Sequence, residues 1–192
     1  MQTCQLFILS AFFFLLSSKL NAQNKYFIFN AGESMNYQYV APFATSEDQQ
    51  SIIKVLDAQK MINGKSYYEL STSLISKGVE TPLQTNFSRS GENGSIYGMK
   101  DASSPEVLLF PEEPWEVQQS WESNDNGVQS VSTILDFNGE IDTPNGKLTG
   151  CLVIEAVRAN STSKAYLQEG VGLVAITILT DGKEMLFQYL LF

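Results

Sequence analysis

No histidine occurs anywhere in the 192 residues. That removes a Ser-His-Asp or Cys-His nucleophile, histidine metal ligation and an imidazole proton shuttle from consideration. Cysteine is nearly as scarce: Cys4 precedes an apolar stretch at the amino end, and Cys151 stands alone in the body of the chain. A thiolate zinc site is out of reach, and so is an internal disulfide once Cys4 is removed. No metal and no other cofactor is expected. Basic residues are few: 12 Lys and Arg against 21 Asp and Glu leave a formal net charge of −9. That balance argues against nucleic acid or an anionic membrane as partner, since both are polyanions. Helical periodicity sustained over ten residues is missing as well, and no segment is long and apolar enough to span a bilayer, which takes about 20 residues.

What is present begins with a leader. Leu6 to Leu16 is apolar except for Ser10, and the small and polar stretch Ser17 to Ala22 follows it. Leu20 and Ala22 take the −3 and −1 places of a cut before Gln23. Residues 1–22 are expected to be a signal peptide, and residues 23–192 a single β-rich domain exported to the periplasm, the cell surface or the medium. A secreted domain with no disulfide relies on its hydrophobic core, which suits a bacterial envelope.

Turn signals punctuate that domain at Asn63-Gly64, Asn93-Gly94, Asn126-Gly127, Asn138-Gly139, Asn145-Gly146 and Asp181-Gly182. Such pairs supply the positive φ of tight hairpins. The fold class they imply is mainly β: a curved antiparallel sheet, half-barrel or clam-like meander, with little helix. One short helix is expected at 46–50, and an extended segment through Trp115, Val117 and Trp121. Over 79–89, Val79, Leu83 and Phe87 share a face opposite Glu80, Gln84 and Ser88. Over 128–137, Val131, Leu135 and Phe137 share one, with Ile134 the exception. These read as strands wet on one side.

The last forty-odd residues differ. In 148–157, 171–179 and 185–192 both strand faces are apolar, and such strands must be covered on both sides. With almost no helix for cover, the second face is expected to line a cavity or an interface. The residues expected to line it are Trp115, Trp121, Val153, Val157 and Tyr166, together with Val174, Ile176, Ile178, Phe187 and Tyr189. Gly64, Gly146, Gly170, Gly172 and Gly182 are assigned to turns or bulges.

Catalytic motifs are weak. Asn63-Gly64-Lys65-Ser66 ends like a P-loop but has Gln59 where the leading glycine belongs. Gly32-Glu33-Ser34-Met35-Asn36 fails the nucleophile elbow at its last place. Ser51-Ile52-Ile53-Lys54 and Ser161-Thr162-Ser163-Lys164 spell S-x-x-K, yet residues three apart in a strand face opposite ways. The stretch 122–127 resembles a calcium loop but carries Thr133 where a bidentate Glu belongs. Glu140 and Asp142 share a strand face, with Glu155 within reach across a hairpin, so a carboxylate-based hydrolase is the enzymatic alternative. A solvated acidic face is the plainer reading, and no catalytic residue is assigned.

Two stretches carry a family likeness: Thr143-Pro144-Asn145-Gly146-Lys147-Leu148-Thr149-Gly150-Cys151-Leu152 and Ala165-Tyr166-Leu167-Gln168-Glu169-Gly170-Val171-Gly172-Leu173-Val174. Together they resemble the TPAGTF turn and GVGLV strand of exported bacterial proteins of the TapB-like and related domain-of-unknown-function families. The segment 109–121, with Pro111, Pro114 and Trp121, is similar to the region preceding them, and Asn63-Gly64-Lys65 to a first hairpin. The sequence departs at Lys147-Leu148, where Thr-Phe is commoner. Asn21-Ala22-Gln23 resembles leader ends of Bacteroidetes exports. The resemblance implies a curved sheet like that of periplasmic lipoprotein carriers, and it implies no reaction. The expected role is therefore non-catalytic binding of an apolar, lipid-like ligand inside the sheet. The alternative is a homodimerising module or one that docks on an envelope protein.

Overall fold

A computed structural model describes residues 24–192 apart from Thr45 and Asn126, with Asp125 described by its backbone only. The expected leader and Cys4 lie outside the described residues. Thirteen strands follow one another. They are β1 (Ser34–Tyr39), β2 (Gln50–Val55), β3 (Lys60–Ile62), β4 (Lys65–Ser76), β5 (Val79–Ser90), β6 (Ile96–Met99) and β7 (Val107–Phe110), then β8 (Ser120–Asp125), β9 (Val128–Thr143), β10 (Gly146–Arg158), β11 (Ser161–Gln168), β12 (Gly172–Thr180) and β13 (Lys183–Leu190). Among the described residues the one helical piece is a 3-10 turn at Glu92–Gly94. The helix expected at 46–50 does not form: residues 46–48 make a turn and Gln50 opens β2.

The sheet runs β7-β6-β5-β4-β2-β1-β13-β12-β11-β10-β9-β8, antiparallel throughout, with β3 paired to β4. The first and last strands, β1 and β13, meet in its middle, and its two edges are β7 and β8, which follow one another in the chain. The sheet curls until those edges face each other: Phe110 on β7 and Trp121 on β8 place their ring centroids 5.6 Å apart. This is a nearly closed antiparallel barrel-like sheet, in agreement with the curved meander expected from the turn signals.

Turn chemistry accounts for most connections. Asn63-Gly64 and Asp181-Gly182 take positive φ and close β3–β4 and β12–β13. Lys77-Gly78 does the same for β4–β5 without any Asn or Asp signal. At β9–β10 the turn is made by Pro144 and Asn145, and Gly146 (φ 122°) follows it. Asn138-Gly139 is not a turn. It lies inside β9, where a Cβ on Gly139 would sit 2.2 Å from Val153 Cγ2. Gly139 is glycine because the neighbouring strand crosses too close for any side chain. Gly170 and Gly172 flank the β11–β12 connection with φ 78° and 97°, and the Gly170 N–H donates to the Lys25 carbonyl at 2.9 Å. The 115–121 segment is extended only at its end, since Gln118 takes φ 72° and interrupts it.

Over most of their length the two-faced strands are covered on both sides by the chain itself, while Val157, Val171 and Leu179 stay exposed. Leu152 and Ile154 of β10 join a cluster with Tyr26, Trp121, Ile134 and Leu167, against which Phe27 and Phe29 pack. The segment just ahead of β1 thus acts as a plug. Asn24 seats it: its Nδ2 donates to the Gly94 carbonyl at 2.6 Å, and its Oδ1 accepts from the Tyr26 N–H. Cys151 and Val153, opposite in β10, join Tyr37, Tyr166, Ala175 and Tyr189, with Ile141 and Leu148 packed against them. Register shifts at Leu148/Cys151 and Cys151/Val153 bend the β9–β10 hairpin. Its tip residue Pro144 borders a recess shared with Tyr39, Val40 and Tyr189 of the β1–β13 region. In a flat sheet β10 and β1 would stand four strand spacings, about 19 Å, apart, so the outer half of the hairpin crosses over the sheet face. The second apolar face therefore needs no ligand to cover it.

Candidate functional site

A concavity lies at the seam. A cavity of about 610 Å3 opens where β4–β7 approach β8–β10. Its apolar lining is Leu70, Phe87, Met99, Val107, Leu109 and Val128, and its polar lining includes Gln84, Asn86, Ser88, Ser123 and Ser130. Lys100, just after β6, and Arg158, at the end of β10, complete the wall from opposite arms of the sheet. Gly98 also lines it, and a Cβ there would meet Leu109 Cδ1 at 2.6 Å. Ser123 and Ser130 share a hydrogen bond of 2.7 Å across the β8–β9 pair.

The lining mixes the expected faces of β5: Gln84, Asn86 and Ser88 border the cavity together with the buried Phe87. A register shift between Thr72 and Ser73 leaves Leu83 as the extra residue opposite β4, and ahead of Gln84 Val79 and Leu83 are 63% and 55% exposed. In β9 the exception, Ile134, is the fully buried residue, and Val131 is exposed. Pairing with β10 is regular from Val131 to Ile134, so the two face opposite ways as expected, and it is the Ile134 face that is buried there.

A charged cluster lies next to the cavity's wall, on residues adjoining Ser88 of β5 and Val107 of β7. Glu106, one residue before β7, accepts from Arg89 Nε and Nη2 at 2.6 and 2.9 Å, from Lys65 Nζ at 2.8 Å and from Tyr67 Oη at 2.5 Å. The Arg89 guanidinium also lies 4.3 Å from the Tyr97 ring centroid. Arg89 first, with Lys65 and Tyr67 adding to it against the cost of burial, holds the Glu106 carboxyl at about 2. Inside the same loop, Asp101 Oδ1 accepts from the Ser103 N–H and hydroxyl at 2.8 and 2.7 Å. The connection carrying Lys100 is thus pinned at both ends by hydrogen bonds to carboxylates.

None of the ten residues expected to line a ligand site borders the seam cavity. Trp121, Val153, Tyr166, Val174 and Tyr189 are core. Trp115 packs at the edge of the core, with its Nε1 donating to the Pro111 carbonyl at 3.1 Å. Phe187 makes edge contacts with Tyr39 and Phe43. Ile176 and Ile178 are half-buried and Val157 is exposed. Tyr189 alone borders a recess, the one beneath the hairpin tip, of about 600 Å3. The cavity's own residues escaped sequence reasoning because Gln84, Asn86 and Ser88 have the polarity of a solvent face. Lys100 and Arg158 carry no pattern at all.

The carboxylates do not converge. Asp142 faces Lys147 and Glu155 faces Thr133 in the β9–β10 register, some nine residues apart along β9, on the order of 30 Å in an extended strand. Glu140 is ion-paired with Lys147. Glu155 instead shares a small cleft with Lys164 and Glu184. There, burial opposes ionisation of Glu184, yet hydrogen bonds from Lys164, Thr177 and Tyr166 hold its carboxyl below the ordinary range.

Comparison with known proteins gives fold likeness alone. No family model matches the chain and no curated protein matches it. A crystal structure described as that of a candidate exported protein with a YmcC-like fold, from Bacteroides fragilis, aligns with TM-score 0.54 at 10% identity, covering 87% of this chain and 97% of that one. A candidate lipoprotein from Parabacteroides distasonis aligns with TM-score 0.47 at 13% identity, over 88% and 97%. The first likeness shows a shared curved-sheet fold. The TapB-like resemblance rests on its motif residues alone.

Proposed function

We propose that this is an exported, non-catalytic binding protein that lodges an amphiphilic, lipid-like molecule in the seam cavity. One observation carries the reading: about 610 Å3 of space between the two arms of the sheet, within the usual range of about 300–1,000 Å3 for ligand sites, walled by apolar and polar side chains together. Neither kind of lining suffices alone. Leu70, Phe87 and Met99 favour an acyl chain, while Gln84, Asn86 and Ser88 favour a hydrogen-bonding group. Export is supported by the leader-like residues 1–22 and by the description of the Bacteroides fragilis protein of like fold. Native mass spectrometry of the purified protein, before and after organic extraction, tests the reading. A stoichiometric adduct that extraction removes and Leu109→Trp reduces is the expected result. An adduct-free protein that also takes up no added amphiphile would end it.

A second reading has its own observation. Val131, Val157 and Leu179 are 43%, 44% and 47% exposed and form one row, since Val157 faces Val131 and Thr162, and Thr162 faces Leu179. Such a row suits a docking face for a second copy or an envelope protein. Light scattering separates the readings. A dimer that Val157→Lys dissociates supports docking, and a monomer at all concentrations removes self-association.

A further inference from the structure

We infer that the ligand of the seam cavity is an anion, an acyl chain ending in a carboxylate or phosphate, with Lys100 and Arg158 as its counter-charges. The inference rests on the binding reading above and adds a chemical class to it. The chain is strongly acidic, and six of its cations are spoken for: Lys25, Lys54, Lys65, Arg89, Lys147 and Lys164 each pair with a glutamate. Lys60 lies over the Phe87 ring. Lys77 and Lys183 sit beside hairpin turns. Lys100 and Arg158 differ. They come from opposite arms of the sheet, 58 positions apart, and line the same cavity, which has no Asp or Glu among its described lining residues. Neither has an ion-pair partner among the described residues.

Two unpaired cations lining a cavity with no carboxylate among its described residues make a local positive field in a negative molecule, and fields of that kind concentrate anions. Arg158 adds geometry, because its planar fork matches both oxygens of a carboxylate or phosphate. Both side chains are exposed at the rim, so a head group would meet them while its chain ran past Val107, Leu109 and Val128. The Glu106 cluster bears on this too. It fixes the 100–106 loop, and with it the approach of Lys100 to the cavity, without using Lys100 as a donor.

Calorimetric titration of the purified protein with decanoate, decyl phosphate, 1-decanol and decyltrimethylammonium at one ionic strength tests this. The two anions should bind at least tenfold more tightly than 1-decanol, and the cation more weakly still. The double variant Lys100→Gln/Arg158→Gln should bring the anions down to the affinity of 1-decanol and leave 1-decanol unchanged. Both positions are exposed, so the melting temperature should hold. A stronger response to decyl phosphate would identify a phospholipid-type head group, and a stronger response to decanoate a free acid; either supports the inference. Equal affinity for anions and 1-decanol, unchanged in the double variant, would overturn the charge assignment while leaving the cavity reading intact. Failure of all four probes would overturn both. Leu109→Trp, which narrows the cavity and spares both cations, should weaken the binding of all the probes together. Anion binding that it left unchanged would place the site elsewhere and sink the inference.

Discussion

The two arms of the sheet solve opposite problems. In β10, β12 and β13 the strands are apolar on both faces over much of their length. There the chain covers both, with the Tyr26–Phe29 plug on one side and the β9–β10 hairpin on the other, while Val131, Val157 and Leu179 stay exposed as a row near the strand ends. From β4 to β7 the strands carry polar side chains toward the inside and are tied together by the Glu106 cluster. Packing holds both arms, the second through Ile62, Tyr67, Phe87 and Met99 and through Ile96 and Phe110 in the main core. The second adds the Glu106 network, and the cavity opens where the arms meet. Space for a ligand arises where the sealing is incomplete, beside the arm whose inner face is polar.

The sharpest way to break this contrast is to cut the packed arm. Leu152→Ala, at a fully buried site, should cost about 3–4 kcal/mol in denaturant unfolding, the range for a leucine deleted from a tight core. A loss below about 1 kcal/mol would mean that this core is loose. In the other arm Glu106→Gln should cost about 2 kcal/mol, because it leaves Arg89 and Tyr67 without their charged acceptor. It should also carry a pH signature. Folding holds the Glu106 carboxyl at about 2, below its ordinary value of 4.5. Its stabilisation is therefore complete above about pH 4.5 and is lost as pH falls toward 2. Melting curves of wild type and Glu106→Gln should converge over that interval, and a constant gap would remove the assigned role.

Gly139→Ala should be next, at about 1–2 kcal/mol, because its Cβ would collide with Val153 Cγ2. Val153→Ala in the same chain should recover part of that loss, since the collision is with that side chain; strict additivity would show that it is not. The smallest effect belongs to the seam. Leu109→Ser, at a residue 43% exposed, should shift stability by no more than about 0.5 kcal/mol while weakening amphiphile binding. A large loss of stability there would make the cavity part of the core.

Much of the fold was legible because turn chemistry is local. Asn63-Gly64 and Asp181-Gly182 mark hairpins wherever they stand, and alternating residues mark strands. Asn138-Gly139 shows the limit: the same dipeptide serves a crossing strand, and only the position of Val153 distinguishes the two uses. The bulge at Leu83 shows another. Parity read from Val79 cannot survive one extra residue, so the face carrying Gln84, Asn86 and Ser88 looked like solvent surface. The expected ligand-lining residues followed from the need to cover Val153, Val174 and Tyr189. That need was real, and Ile141 and Leu148 of the same chain met it.

The residues themselves determined that this chain is β-structured, bare of imidazole chemistry, and two-faced toward its carboxyl end, because composition, turn dipeptides and alternation act over a few neighbours. Tertiary structure alone decided what covers the second face and which side chains meet at the seam. Lys100 and Arg158 become neighbours of one cavity only after twelve strands have curled until β7 faces β8, and no local preference encodes a contact made by closure.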